Sequence, residues 1–438
     1  MNQVKDTCIP HPPDPLCLSA AAVNHLIQVL PTGTAYWIGI VLIVMMTGRL
    51  MQCKGSLARA VFPLVWQIKW DWHRVERSME RGKVSIDELL DRAFKWCVDN
   101  LPVEPVRIGE KQREVNAIDS STIARWRANL GMDLFGKGYD HRVGKAIRGN
   151  IIAIVTTVVF ITGVRVGLVR RGRFGDNCEA AVASVFRDLP QVQGKRLLVV
   201  DAGIATQEQF TLATEQDALL GRLRINSKLR CSPGPRPERP RRGRPPKHGP
   251  ELHPGGDTPE VDPDQEINIL YSAGQLRVRR WNQLHFEDHA QTILDVVRID
   301  HPDYDKPLLI GTGAQELSTG QIWTSYRHRV PVETNFFVTQ DTAAMEMPRA
   351  WTETAIKRRI SLALLVGFVL KAIAAVCQPL PMGPWDQKPQ RTAGRLANFL
   401  DIRIYKFMVL ALKGIKPRNY RKIQNPQKFN DLPLPDTA

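Results

Sequence analysis

Residues 150–170 read NIIAIVTTVVFITGVRVGLVR, and the fold of this chain turns on them. β-Branched residues crowd both halves, with Thr162-Gly163 as a turn between them, so the stretch predicts two antiparallel strands, 150–160 and 164–170. Before it, VNAIDSSTIARW (115–126) is a short apolar rise that ends at Asp119 and gives way to hydroxyls. After it, CEAAVASVFRDL (178–189) has a helical period, and KRLLVVD (195–201) is a strand whose unbroken apolar run suits a buried sheet position. A helix is expected over 207–220. Strand, hairpin, helix, strand, helix predicts an α/β (α+β) fold, a mixed sheet flanked by helices.

The charge balance points to a polyanion. Against 44 Asp+Glu stand 60 Lys+Arg, a net charge of +16, and such an excess attracts nucleic acid or an anionic membrane face. Seven scattered cysteines, an odd count with no C-x-x-C pair, exclude a zinc ribbon or a disulfide framework and fit a reducing compartment. Two apolar runs, 36–46 and 151–163, are shorter than the ~20 residues of a membrane span and read as buried core. The first lies behind acidic, proline-bearing sequence with no basic leader, unlike a secretion signal.

Composition divides the chain into six parts. Residues 1–33, rich in proline, are expected to be a flexible arm ending in a short helix. Residues 34–108 are helical in texture; Ile86, Leu89, Leu90, Ala93 and Trp96 keep a three/four period, and Pro102 and Pro105 close the run. Interleaved Trp70, Trp72, Arg74, Arg77, Arg81 and Lys83 suit either a DNA-facing surface or a core with charged flanks. Core sequence over 109–220 resumes over 305–400, and the tail 401–438 is basic. Between the two core parts, 221–304 breaks the pattern. From 222 to 247 ten basic residues face a single acid among six prolines, which is an exposed basic loop. Its Arg242-Gly243-Arg244-Pro245, flanked by Arg241 and Lys247, resembles the core of an AT-hook, an extended segment that enters a narrow minor groove. INILYSAGQLRVRRWNQLH (267–285) alternates like a hairpin on Ala273-Gly274.

Residues 322–340, IWTSYRHRVPVETNFFVTQ, carry the densest chemistry. Steps of three and four place Tyr326, Arg329 and Glu333 on one helical face. Pro331 biases Val330 away from helical torsions, predicting one helix that ends near Arg329 and a second that opens with Pro331. Glu333 then sits in a first turn, where exposed N–H groups favour the ionised carboxylate a metal ligand needs. Asp119 and Asp201 are expected at strand ends. Carboxylates that converge need compensating cations, and two Mg²⁺ ions about 3.5–4 Å apart are the usual compensation in phosphodiester chemistry. Taken singly, each acid also reads as an ordinary loop or cap residue. The pair His285 and His289 lacks H-E-x-x-H spacing; Asp300, Asp303 and Asp305 lack a calcium-loop pattern; Gly311-Thr312-Gly313 meets Glu316 where a dinucleotide fingerprint needs glycine. Trp281 and Trp323 suit buried packing, or stacking on a flipped base.

Asp119 in AIDSST, Asp201 in LLVVDAG and Tyr326-x2-Arg329-x3-Glu333 together resemble the catalytic triad and tyrosine-arginine-glutamate signature of bacterial insertion-sequence DDE transposases, over about residues 110–375. The resemblance implies a ribonuclease-H-like core with a β-rich insertion between the second and third acids. It implies Mg²⁺, two ions with Mn²⁺ able to substitute, held by Asp119, Asp201 and Glu333. It further implies Tyr326 and Arg329 on the transposon end, double-stranded DNA as partner (terminal inverted repeats and target), a homodimer on DNA, and a bacterial cytoplasm, at the nucleoid. Position 340 holds Gln where that signature continues to Lys, and Asp201 is followed by Ala-Gly where a polar residue is common. Two other readings stand beside it: a catalytically inactive, domesticated DNA-binding relative, and a membrane-associated basic protein.

Overall fold

The computed structural model describes residues 12–65, 73–124, 136–140, 144–213, 217–233, 248–256, 259–271, 274–302, 304–350 and 352–415. Helices come first: α1 (Pro15–Ile27), α2 (Thr32–Met46), α3 (Arg49–Gln52), α4 (Leu57–Val65), α5 (His73–Arg81) and α6 (Ile86–Asn100). Strands β1 (Val103–Pro105), β2 (Arg107–Ile108), β3 (Arg113–Ala124), β4 (Gly136–Asp140), β5 (Lys145–Ile161) and β6 (Val164–Gly175) follow. Next are α7 (Cys178–Arg187), β7 (Arg196–Val200), α8 (Gln207–Leu212), β8 (Asp217–Leu223), β9 (Leu229–Arg230), β10 (Glu251–Leu252), β11 (Gln265–Tyr271), β12 (Gly274–Phe286), β13 (His289–Asp300) and β14 (Leu308–Thr312). The remainder is α9 (Thr319–Tyr326), a 3-10 turn at Arg327–Arg329, α10 (Val330–Asp341), α11 (Glu353–Val376), α12 (Ala393–Ile402) and α13 (Ile404–Ala411).

β5 and β6 form the expected hairpin, and Thr162 and Gly163 both adopt positive φ (47° and 77°). That pair of left-handed residues matches the right-handed twist of the flanking strands, which is why the turn closes in two residues. The strands belong to one mixed sheet whose main run is β6-β5-β3-β7-β8-β14-β13-β12. β3–β7 and β7–β8 are parallel; β5 runs against both of its neighbours. The fold is therefore mixed α/β, a large sheet with helices packed on it.

Two apolar clusters lie against this sheet. One joins α1, α2, α6, α10, α11, α12 and α13 to one face; the other holds α7, α8 and residues such as Trp281 and Leu294 of the long β12 and β13. α2 is buried from Ala35 to Met46, as its all-round apolar sequence requires. By length and composition α11 is the one described helix that passes as a membrane span, yet 94% of its most apolar window is buried inside the protein.

Three expectations give way here. Residues 207–220 are not one helix: α8 stops at Leu212 and β8 is a central strand. A short apolar run buried on both faces has no period that separates helix from strand, and Arg196 grips Asp217 at 2.7 Å through two nitrogens, fixing the start of β8 beside β7. The stretch expected as an arm ending in a short helix is also helical earlier, from Pro15 on. Pro15 opens α1, where its missing N–H costs nothing, Asp14 caps it by accepting from Leu16 N at 3.1 Å, and Asn24 Nδ2 donates to Ala411 O at 2.9 Å, tying α1 to the end of α13. Finally, the strands of the insertion extend the main sheet, because β14 pairs with β8 from Leu220↔Thr312 to Leu223↔Leu309. β11 and β12 pair antiparallel from Gln265↔Arg280 to Tyr271↔Gly274, as expected of a hairpin here, with Ala273 outside the described residues; β13 adds a further strand beside β12. Arg241, Arg242, Arg244 and Lys247, with the AT-hook-like core, lie outside the described residues, as do Trp70 and Trp72.

Candidate active site

The parallel ladder between β3 and β7 ends at the pair Ile118↔Val200. Asp119 and Asp201 are the next residue on each strand. Neighbouring strands lie about 4.8 Å apart, so register alone sets the two acids side by side, where the carboxyl ends of parallel strands open a crevice. Asp119 does not end its strand as expected: β3 continues to Ala124 because its other edge still pairs with β5. β7 stops at Val200, and the Asp201 carbonyl accepts from Ile204 N and Ala205 N at 2.9 Å to turn the chain.

The third acid arrives on a nearly continuous helical path. A capping box opens α9, Ser318 accepting from Gln321 N while Gln321 Oε1 accepts from Ser318 N. Val330 is helical (φ −49°, ψ −39°), contrary to the expected break. Pro331 falls in the first turn of α10, where no helical acceptor awaits its nitrogen, so the 3-10 turn hands the chain directly to α10. α10 packs across β3, β5 and β6.

Tyr326, Arg329 and Glu333 are brought together, though not as three free groups. Tyr326 Oη donates to Asp201 Oδ1 at 3.3 Å. The Arg329 guanidinium lies 5.8 Å from the Tyr326 ring centre and donates to Glu333 Oε1. A cavity of about 440 Å³ is lined by Asp119, Ser120, Ser121, Thr122, Tyr139, Cys178, Asp201, Gly203, Ile204 and Gln340. Glu333 is not on that lining. Gln340, the departure noted in the sequence, is. Tyr139, on β4, and Cys178, at the start of α7, were missed because nothing local in sequence links them to Asp119. Trp281 is fully buried and donates Nε1 to Val261 O at 3.0 Å, a packing role; Trp323 is partly buried against the helical cluster. His285 pairs with His248 at 2.9 Å rather than with His289.

Desolvation pushes the Asp119 carboxyl up to about 6. The Ser120 N–H and the Arg329 charge oppose the shift, and the charges of Glu333 and Asp201 add to it. Burial likewise holds the Tyr326 phenol up at about 12, so it remains a donor. A carboxyl whose pKa is raised in the fold takes up its proton there first, so its burial costs stability increasingly as pH rises from about 4 to 6 and by a constant amount above. Asp119→Asn is therefore expected to stabilise the protein at pH 7.5 by about 2 kcal/mol, discounted for partial solvent contact, and to change little at pH 4. Urea midpoints at the two pH values measure this, and equal shifts at both would refute it.

Among the described residues no group of three or more His, Cys, Asp or Glu is arranged to hold a metal ion. Asp119 and Asp201 offer hard oxygen donors on one cavity wall, and a divalent cation would offset both the burial that chiefly raises Asp119 and the like charges that add to it. These two could hold such a cation, with Glu333 as a third donor when it leaves Arg329. No protein-family model matches this chain, and no curated protein matches it either.

Proposed function

We propose that the chain is a DDE-type DNA transposase, cutting double-stranded DNA at the terminal inverted repeats of a mobile element and joining the ends to target DNA. The observation that carries this reading is the register that puts Asp119 beside Asp201 at the end of a parallel ladder, against the helical path that bears Tyr326, Arg329 and Glu333. A run β6-β5-β3-β7-β8 in which β5 alone is reversed is compatible with a ribonuclease-H-like core. Asp119, Asp201 and Glu333 are the residues that would hold Mg²⁺, two ions, or Mn²⁺ in their place. When bound, such a cation supplies Lewis-acid polarisation of the phosphodiester and an oxygen nucleophile at neutral pH.

The protein's own side chains do the rest. Asp119, Asp201 and Glu333 carry the negative charge that fixes the site, Tyr326 stays protonated and orients the terminal nucleotides, and Arg329 neutralises a phosphate, as do Arg241, Arg242, Arg244 and Lys247 of the insertion. Water attacks the phosphodiester at the element end, breaking its P–O3′ bond and leaving a 3′-hydroxyl and a 5′-phosphate; that hydroxyl then attacks a target phosphodiester, forming a new P–O bond as the target strand's own 3′-hydroxyl departs. Joining two ends calls for a homodimer on DNA, in a bacterial cytoplasm at the nucleoid.

With DNA carrying the inverted repeats that flank the coding region, the purified chain is expected to make 3′-hydroxyl nicks at the ends in Mg²⁺. Chelation by EDTA should stop the reaction, and Mg²⁺ or Mn²⁺ should restore it. DNA binding with no nicking under any divalent cation would replace this reading with a catalytically inactive, domesticated relative, which the engaged Glu333 and Gln340 on the cavity wall would favour.

A further inference from the structure

α11 is apolar through most of its length, yet Lys371 stands between the buried Leu370 and Ala372. Its ammonium is largely removed from water, which lowers its pKa to about 8. Nζ donates to Thr334 Oγ1 and to Asn335 Oδ1 (3.3 Å), the two residues that follow Glu333 on α10. Asn335 Nδ2 passes the connection on to Gly167 O of β6 at 2.9 Å. β6 approaches so closely there that a Cβ on Gly167 would stand 3.0 Å from Asn335 Nδ2 and 3.2 Å from Pro331. Among the described residues no carboxylate forms an ion pair with Lys371. A buried ammonium served by neutral acceptors costs stability that an apolar side chain would not, so this lysine needs a reason other than packing.

We propose that Lys371 is a positioning residue for Glu333: by holding Thr334 and Asn335 it pins the turn of α10 that follows Glu333 against β6 and sets where the Glu333 carboxylate stands relative to Asp119 and Asp201. The inference rests on the reading of those three acids as the metal-holding set. A group that orients a ligand one step removed typically alters metal affinity 10–100-fold, whereas exchange of a buried charge for an apolar side chain of similar volume often leaves stability unchanged or raised.

The two effects separate in Lys371→Met. Titration of the full-length chain with Mn²⁺ alone, read by the EPR signal of the free ion, is expected to show binding about 10–100-fold weaker than wild type, with a thermal midpoint unchanged or higher. Wild-type Mn²⁺ affinity in Lys371→Met, at whatever midpoint, would overturn the role of Lys371 and leave the metal reading intact. Absence of Mn²⁺ binding by the wild-type chain would overturn both. Should Lys371→Met fail to fold, Thr334→Val removes one acceptor and is expected to weaken Mn²⁺ binding in the same direction; unchanged affinity there would overturn the proposal.

Discussion

Asp201→Ala is expected to reduce Mg²⁺-dependent cleavage of end-bearing DNA by about 10³-fold or more, because loss of one donor removes several kcal/mol of charge stabilisation from phosphoryl transfer. Binding of the same DNA should stay near wild type, since phosphate contacts come from cations and not from this acid. The structure gives a reason to expect the variant to fold. Asp201 turns the chain through its backbone carbonyl, which Ala retains, while among the described residues its side chain accepts one long bond, from Tyr326. Gel-resolved cleavage and filter binding on one labelled duplex read both quantities, and cleavage at the wild-type rate would sink the assignment of Asp201.

The second large effect concerns stability and lies in the insertion. Arg280 on β12 and Asp295 on β13 form an ion pair with side chains only 9% and 3% exposed. Arg280 also donates to Leu317 O at 2.7 Å and Gln315 O at 3.1 Å, and Asp295 accepts from Gln283 N at 3.0 Å, where β12 is bulged against β13. Asp295→Ala strands a guanidinium with only carbonyl acceptors, which should cost about 3–5 kcal/mol. The same guanidinium braces the loop that leads into α9, so Tyr326 should become more mobile. A urea midpoint displaced by the equivalent of less than ~1 kcal/mol would count against this account, whereas Arg280→Met with Asp295→Leu should recover most of the loss.

What could be read in the sequence was whatever a single local pattern determines. The 150–170 hairpin, the helix that carries Ile86, Leu89, Leu90, Ala93 and Trp96, and β7 follow from period, β-branching and turn chemistry, and all are present. Sequence alone reads the leucines of β8 as a continuation of α8, because no partner for them is visible there; the strand exists because β7 and β14 flank it. Val330 was expected to break a helix on a two-residue rule, and the tight 3-10 turn before it removes the need. For the site, the types of residue were legible and their present partners were not. The Arg329–Glu333 pair is the i, i+4 contact that helical spacing allows, but no spacing rule says that Gln340 faces the cavity or that a lysine on α11 reaches Thr334 and Asn335 of α10.

The main sheet and the helical cluster are both closed by segments far apart in the chain, and this dictates an order of assembly. β8 finds its outer neighbour only when β14 has been made, and α1 is covered by α13, the last described helix. Such distant pairing is the regime of high contact order and slow folding. During synthesis α2, apolar on every side, meets α1 and α5 early but α11 and α13 only late, so the nascent chain leaves part of a sticky helix uncovered for most of its translation. A truncation before residue 353 should therefore yield aggregate and not a smaller folded protein, and full-length chain should need chaperone assistance, low temperature or slow expression to reach the state described above.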